Sequence, residues 1–232
     1  MSGVGLDRAA CEFVEQSAWG RCLSWHELSR VIDRMHDKRI EPGGHLVSVG
    51  TDADHWIGIM GGLLVQSVGA ADGRVSTLTA VCRDVWFGEG SVMKKERWRY
   101  DVVAVRESRA VLVPRQTFEW IRERSLPFNH YLTRLLNERL SLYMGLLASE
   151  RLRSPDARMA GVLASLFDPA LYPHRSPQIQ MTQDELALLA GVSRQRANAA
   201  LRKLETAGLL LLERGGLTVL DVDGLRSFKS PG

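Results

Sequence analysis

At 232 residues and 45% hydrophobic composition, the chain is long enough for one large or two small domains with proper cores. Thirty Lys and Arg against 27 Asp and Glu give a formal charge of +3, which suits a nucleic-acid binder without identifying one. No apolar run approaches membrane-spanning length, and MSGVGLDRAACEF has no basic stretch followed by an apolar one, so the expectation is a cytoplasmic protein with neither membrane span nor secretory signal.

Residues 1 to about 40 predict helices. ACEFVEQSAW and SWHELSRVIDRM repeat apolar residues at three-to-four spacing, and Ser24 stands as a cap before Trp25 and Glu27. From Ile40 to Pro114 the pattern changes to short β-rich runs: HLVSV, WIGIMGGLLVQSV, RVSTLTAV, DVVAV and RAVLV. Pro42-Gly43-Gly44, Gly50-Thr51-Asp52, Ala71-Asp72-Gly73 and Gly88-Glu89-Gly90 mark the corners. Many short strands at such intervals predict a β-roll or jelly-roll barrel. Cys11, Cys22 and Cys82 are odd in number and share no close ligand spacing, so free, largely buried thiols are expected rather than a disulfide framework.

After Pro114 the helical period returns. Residues 116 to 124 predict a short helix, and Asn129 to Arg153 a long one, with Leu132, Leu136, Leu140, Tyr143 and Leu147 on one stripe and Leu135, Leu142 and Leu146 beside it. An apolar face that broad needs a partner. One side can cover the β-roll while the other meets a second copy as a coiled coil, giving a twofold dimer. Ser154-Pro155 then marks a fresh start, with Ser154 as cap and Pro155 at the first helical position of a helix reaching about Phe167. The loop DPALYPHRSPQ follows.

Thr182 to Leu211, TQDELALLAGVSRQRANAALRKLETAGLLL, reads as a helix-turn-helix. Thr182 with Glu185 forms a capping box that starts a helix carrying Leu186, Leu188 and Leu189. Ala190-Gly191-Val192 breaks it, because Gly191 tolerates the left-handed backbone of a sharp corner, and the small Ala187 permits close crossing of two helices. Ser193 caps the second helix. Its stripe of Ala197, Ala200, Leu201 and Leu204 is predicted to face inward, leaving Arg194, Gln195, Asn198 and Arg202 toward a major groove, and Gly208 ends it. LLLLERGGLTVLDV then reads as a hairpin about Arg214-Gly215-Gly216, a wing whose Arg214 can touch phosphate.

The contacts divide by chemistry. Arg194 and Gln195 lie in the first turn of the recognition helix, where Arg can bond guanine O6 and N7 and Gln can bond adenine N6 and N7. Arg196, Arg202 and Lys203 are expected to meet phosphate or solvent. Ser193, Arg194, Gln195, Arg196, Asn198, Arg202 and Arg214 make the candidate interface with double-stranded DNA. No nucleophile elbow, metal motif or Walker loop accompanies Glu89, Asp101 or His55, so no enzyme and no metal site are expected.

The β-roll, long helix and winged helix-turn-helix together resemble the Crp–Fnr superfamily of bacterial transcription regulators. The recognition segment is similar to the family pattern G-x-S-R-(E/Q)-x-(V/A)-x-(R/A)-x-L at Gly191, Ser193, Arg194, Gln195, Ala197, Ala199 and Leu201. Gly50 and Gly62 fall where the family's β-roll turns recur, and FGEGSVMKKERWRYDVVAV resembles its phosphate-binding cassette, with Arg99 eleven residues after Gly88.

The resemblance implies an α+β chain: a cyclic-nucleotide-binding-like β-roll sensor over 1–128, a long dimerisation helix over 129–153 and a winged helix-turn-helix over 154–232. It implies an effector site of Gly88, Glu89, Gly90, Arg99, Tyr100 and Tyr143, with Arg99 on a cyclic phosphate and Glu89 on a ribose hydroxyl. The cassette departs from the cyclic-AMP pattern. Tyr100 replaces the Ser or Thr after the Arg, Asp101 brings a charge that would repel phosphate if it faced the pocket, and Tyr143 and Met144 replace the purine-contacting Thr-Ser pair. The effector thus stays open among a cyclic nucleotide, another planar or apolar ligand beside Trp86, Trp98 and Tyr100, and haem held by a His or Cys82; an iron–sulfur cluster needs four cysteines.

The implied function is a homodimer reading an inverted repeat, reaching RNA polymerase and gated by the effector through the long helices and Ser154-Pro155. Gln195 in place of the family's cytosine-reading Glu predicts a different half-site. The alternative is a cyclic-nucleotide-sensing regulatory subunit that controls a partner protein; it has no use for a capped helix-turn-helix with Arg and Gln outward.

Overall fold

The computed structural model describes residues 6–69, 75–152, 154–169, 171–172 and 176–228, without the side chains of 146–152. The expected corner at Ala71-Asp72-Gly73, the stripe positions Leu146 and Leu147, Arg153 and part of the loop after Phe167 lie outside it. Contacts divide the chain into two units, Met1–Leu136 and Asn137–Gly232.

In the first unit, α1 (Arg8–Gln16) is capped by Asp7, a 3₁₀ turn covers Gly20–Cys22, and α2 (Trp25–Ile32) starts at the capping box of Ser24 and Glu27. The helical expectation for residues 1 to about 40 ends early. Asp33 caps α2, and His36–Ile40 is strand β1, because HDKRI pairs antiparallel with the strand that ends the roll. Four polar residues followed by a single apolar one, on a sheet edge, gave that strand little signal.

The remaining strands are β2 (His45–Val47), β3 (His55–Gly61), β4 (Leu63–Gly69), β5 (Val75–Cys82), β6 (Trp86–Phe87), β7 (Asp101–Ala104) and β8 (Ser108–Pro114). They form two antiparallel sheets, β1-β8-β3-β6 and β2-β7-β4-β5. The run WIGIMGGLLVQSV is two strands. Gly61-Gly62 turns the chain from one sheet to the other, and Ser108 packs where a Gly62 side chain would stand.

An aromatic cluster fills the roll beneath its helices. Trp56 lies 4.6 Å from Trp86 and 5.0 Å from Trp19 between ring centroids, and Trp19 meets Trp86 edge-on at 4.9 Å. Phe118 of α4 (Arg115–Arg124) and Phe128 of α5 (Leu126–Leu152) close on Trp56. All five rings are buried. Such rings each bury about 150–250 Å² and prefer these tilted and edge contacts, so this cluster dominates the unit's packing energy. Trp86 is therefore core rather than pocket wall.

Helix α5 begins three residues before the expected Asn129, because Ser125 both ends α4 and accepts from Phe128 N–H, and Pro127 is tolerated in a first turn. Its 27 residues reach about 40 Å at 1.5 Å per residue. Leu132 and Leu135 are buried at 3% and 4% exposure, whereas Leu140 and Met144 are 58% and 63% exposed.

The second unit holds α6 (Pro155–Ser165), β9 (Gln178–Ile179), α7 (Gln183–Ala190), α8 (Arg194–Thr206), β10 (Leu210–Glu213), β11 (Gly216–Val219) and α9 (Val222–Ser227). Ser154 caps α6 with Pro155 at its start, as the sequence predicts. The hairpin gains a third strand, β9, in the order β10-β11-β9, which two residues alone could not announce. Met159, Leu163, Leu186, Leu201, Leu204, Leu210, Leu217 and Leu225 make the core. Among the described residues no helix is long and apolar enough to cross a membrane.

Candidate nucleic-acid interface and sensor cassette

The helix-turn-helix forms by local bonds. Thr182 Oγ1 accepts from Glu185 N–H at 3.3 Å while Glu185 Oε2 accepts from Thr182 N–H at 2.7 Å, so two orphan donors of α7 are satisfied. Gly191 takes φ 61°, the left-handed corner a side chain would strain, and Val192 N–H returns to Ala187 O at 3.1 Å. Ser193 Oγ accepts from Arg196 N–H at 3.3 Å to start α8.

The predicted division of α8 holds. Ala197, Ala200, Leu201 and Leu204 are buried, whereas Ser193, Arg194, Gln195, Arg196 and Arg202 are exposed and Asn198 is half-buried. On α7, Leu186 and Leu189 are core but Leu188 is 45% exposed. Arg214 is exposed in the turn between β10 and β11, where Gly215 supplies φ 84°.

Three acids that sequence reasoning did not single out fix this surface. Asp156 of α6 accepts from Lys203 Nζ at 2.6 Å, so Lys203, its side chain 59% exposed, also ties α8 to α6. Glu205 Oε1 accepts from Leu212 N–H at 2.8 Å and holds the wing's first strand against α8. Asp184 Oδ1 lies 3.2 Å from Arg194 Nε. None of the three has a local motif; helix crossing sets the partners of Asp156 and Asp184, and the approach of β10 to α8 sets that of Glu205.

The cassette of the first unit is built on a tight corner. Gly88 caps α3 (Glu89–Lys94) at φ 98°, and a Cβ there would stand 2.6 Å from the buried Trp98 ring. Trp98 packs on Phe87 and Tyr100 at 6.3 and 5.5 Å between centroids. Glu89 is 2% exposed in the first turn of α3, and Gly90 follows it. Arg99 points elsewhere. Its side chain is 75% exposed and its Nη2 donates to Glu96 Oε2 at 2.8 Å, while Lys94 Nζ lies 2.6 Å from Glu96 Oε1. The Lys94 ammonium, then the Arg99 guanidinium, hold the Glu96 carboxyl below its ordinary range.

Asp101 is occupied too. Its Oδ1 accepts from Val49 N–H at 3.0 Å and lies 3.7 Å from His45 Nδ1, so the carboxylate secures the corner at Gly50. Tyr100 is half-buried beside Trp98, and Tyr143 of α5 belongs to the second unit, exposed at 37%. The three cysteines are free and half-buried rather than largely buried. Burial pushes the Cys82 thiol up to about 11, which leaves it protonated at neutral pH. His55 of β3 meets His36 of β1 edge-on at 5.0 Å, and burial, then the His36 charge, lowers its pKa.

Two family models match the chain: a cyclic nucleotide-binding domain over residues 37–125 and a Crp-like helix-turn-helix domain over residues 157–228. No curated protein matches it. Among solved structures, FixK2 from Bradyrhizobium japonicum is similar at TM-score 0.70 and 14% identity, covering 85% of this chain and 98% of its own. The c-di-GMP responsive global regulator CLP of Xanthomonas campestris is similar at TM-score 0.62 and 18% identity, over 84% and 99%. A transcriptional regulator of the CRP/FNR family from Thermus thermophilus is similar at TM-score 0.55 and 21% identity, over 82% and 96%.

Proposed function

We propose, for a chain that belongs to the Crp–Fnr superfamily of bacterial transcription regulators, a homodimer that reads an inverted-repeat operator through α8 and is gated by an effector of its β-roll. The carrying observation is the outward face of α8. Ser193, Arg194, Gln195, Arg196 and Arg202 are each exposed, with Arg214 exposed on the wing of the same unit. Arg194 and Gln195 sit where side chains reach base edges, and the arginines beyond them supply sequence-independent phosphate contacts. A regulator of this class works in the cytoplasm, where the bacterial chromosome is, and has RNA polymerase as its further partner.

The domain division into a sensor, a long helix and a DNA-binding unit follows from the same reading, with residues 129–153 as the dimerisation segment. Leu140 and Met144, uncovered on α5, support it.

Gly88, Glu89, Gly90, Arg99, Tyr100 and Tyr143 remain the candidate effector residues, but they fit cyclic AMP poorly. The guanidinium that a cyclic phosphate needs is turned to Glu96 and three-quarters exposed, and Asp101 stands two residues further along the chain. An effector of different chemistry accords better with this cassette.

The test is selection from random duplexes with the purified full chain, then footprinting of the enriched site with and without cyclic AMP and cyclic GMP. Protection of two half-sites about one helical turn apart is expected, indifferent to either nucleotide. A chain that enriches no sequence would instead be the regulatory subunit of a partner protein.

A further inference from the structure

Asp184 stands in the first turn of α7, and its Oδ1 lies 3.2 Å from Arg194 Nε across the corner of the helix-turn-helix. The other acid of that turn, Glu185, is committed to the cap with Thr182. Both members of the pair face solvent, with side chains 70% exposed at Arg194 and 59% at Asp184. An exposed carboxylate beside a surface meant for a polyanion lowers affinity for every DNA sequence alike, a cost that its favourable place at the positive end of α7 only partly offsets. What it does gain is hold on one guanidinium.

We infer that Asp184 is a positioning residue for base recognition, resting on the DNA-reading role proposed above. Its carboxylate stands at ion-pair distance on the Nε side of Arg194, which leaves the Nη1 and Nη2 end of the fork for the two acceptors of a guanine edge. The pairing orders a flexible side chain before DNA arrives, and less freedom is lost on contact. The same negative charge disfavours a slide of Arg194 onto neighbouring phosphate, where it would carry no sequence information. Asp184 thus trades general affinity for selectivity at one base pair.

The experiment compares full-length wild type, D184A, R194A and the double variant by selection from random duplexes, followed by titration of the enriched duplex and of single-base variants. Wild-type discrimination at the Arg194 base pair should be roughly five- to a hundredfold, and R194A should abolish it. D184A should reduce it roughly two- to fivefold, the reach of an exposed ion pair, while affinity for unrelated duplex rises. In the R194A background, D184A should change no base preference and only strengthen binding to all sequences. Preference at the Gln195 base pair should stay at its wild-type value, which a general loosening of the domain would not permit.

A D184A profile that keeps full wild-type discrimination at the Arg194 base pair, or that weakens every position equally, overturns this assignment and leaves the DNA-reading role standing. A wild-type chain that enriches no sequence overturns both.

Discussion

Lys203 Nζ donates to Asp156 Oδ2 at 2.6 Å, joining the recognition helix to the first turn of α6. The Asp156 side chain is 13% exposed and that of Lys203 59%, so the carboxylate is the less solvated partner and loses more when the lysine is removed. K203M should therefore destabilise the second unit by about 1 kcal/mol, discounted because water reaches the lysine end. Amide hydrogen exchange along α8 should quicken in K203M, whereas D156N/K203M should lose less than the sum of its single changes. Unchanged exchange in K203M would show that the helices hold their crossing by apolar packing alone.

His55 gives the first unit a pH dependence of definite sign. Burial, then the charge of His36, lowers its pKa in the folded chain below the ordinary value of 6.5. Above that value both folded and unfolded chains hold it neutral. As pH falls below it, the unfolded chain takes up a proton that the folded chain refuses, and stability falls until the folded pKa is reached. The Tm of wild type should drop between pH 7.5 and the folded pKa, and H55Q should flatten that part of the curve. A parallel drop in H55Q would assign the dependence to other groups.

The helix-turn-helix was legible because its determinants are local. Thr182 with Glu185, Gly191 and Ser193 each act within four residues, and the apolar stripe of α8 has an unbroken helical period. The β-roll was legible as a kind of structure but not in detail. Strand β1 is a polar edge, β9 is two residues long, and their existence depends on partners far away in sequence. The cassette shows the opposite limit. Its motif marks Arg99, yet Glu96, three residues earlier, draws the guanidinium outward by an ion pair that the motif does not encode. Asp156, Asp184 and Glu205 were invisible for the same reason, since tertiary packing selects their partners.

Gly88 should tolerate no side chain. Its φ of 98° strains any L residue, and the added Cβ would meet the fixed Trp98 ring at 2.6 Å. G88A should cost about 1–3 kcal/mol, the scale of a residue held in a disfavoured backbone region. G90A, where a Cβ meets open space, is the control and should lie within about 0.5 kcal/mol of wild type. Urea unfolding followed by tryptophan fluorescence reports on Trp98 and the aromatic cluster together. Equal stability of G88A and G90A would mean that the corner relaxes.

Arg214 and Gln195 should separate phosphate contact from base reading. R214A removes a cation from the exposed turn of the wing, so it should weaken binding to all duplexes and lower the slope of log affinity against log salt by about 1. Q195A should leave that slope unchanged and cost about 1–3 kcal/mol only on duplexes bearing the preferred base. Titrations at several salt concentrations on the selected and an unrelated duplex distinguish the two. An R214A slope equal to wild type would place the wing away from the backbone.

Leu140 and Met144 continue down α5 from Leu132 and Leu135, but the first pair is mostly exposed and the second is buried in the first unit. An apolar surface that emerges from a core and runs on uncovered for a helical turn is unfavourable in water by about 1.5–3 kcal/mol for each large side chain left out. A second copy related by a twofold axis would cover it with the same residues. Sedimentation equilibrium of wild type should therefore give twice the chain mass. L140K/M144K should shift it toward the single-chain mass by placing like charges at the centre of the contact. Circular dichroism should keep the helical signal, because lysine suits a helix and both positions are exposed. The same variant should bind one half-site as wild type does, but lose the gain from a properly spaced second one, since that gain comes from linkage of two recognition helices. A dimer that survives the double substitution would move the interface off this stretch of α5.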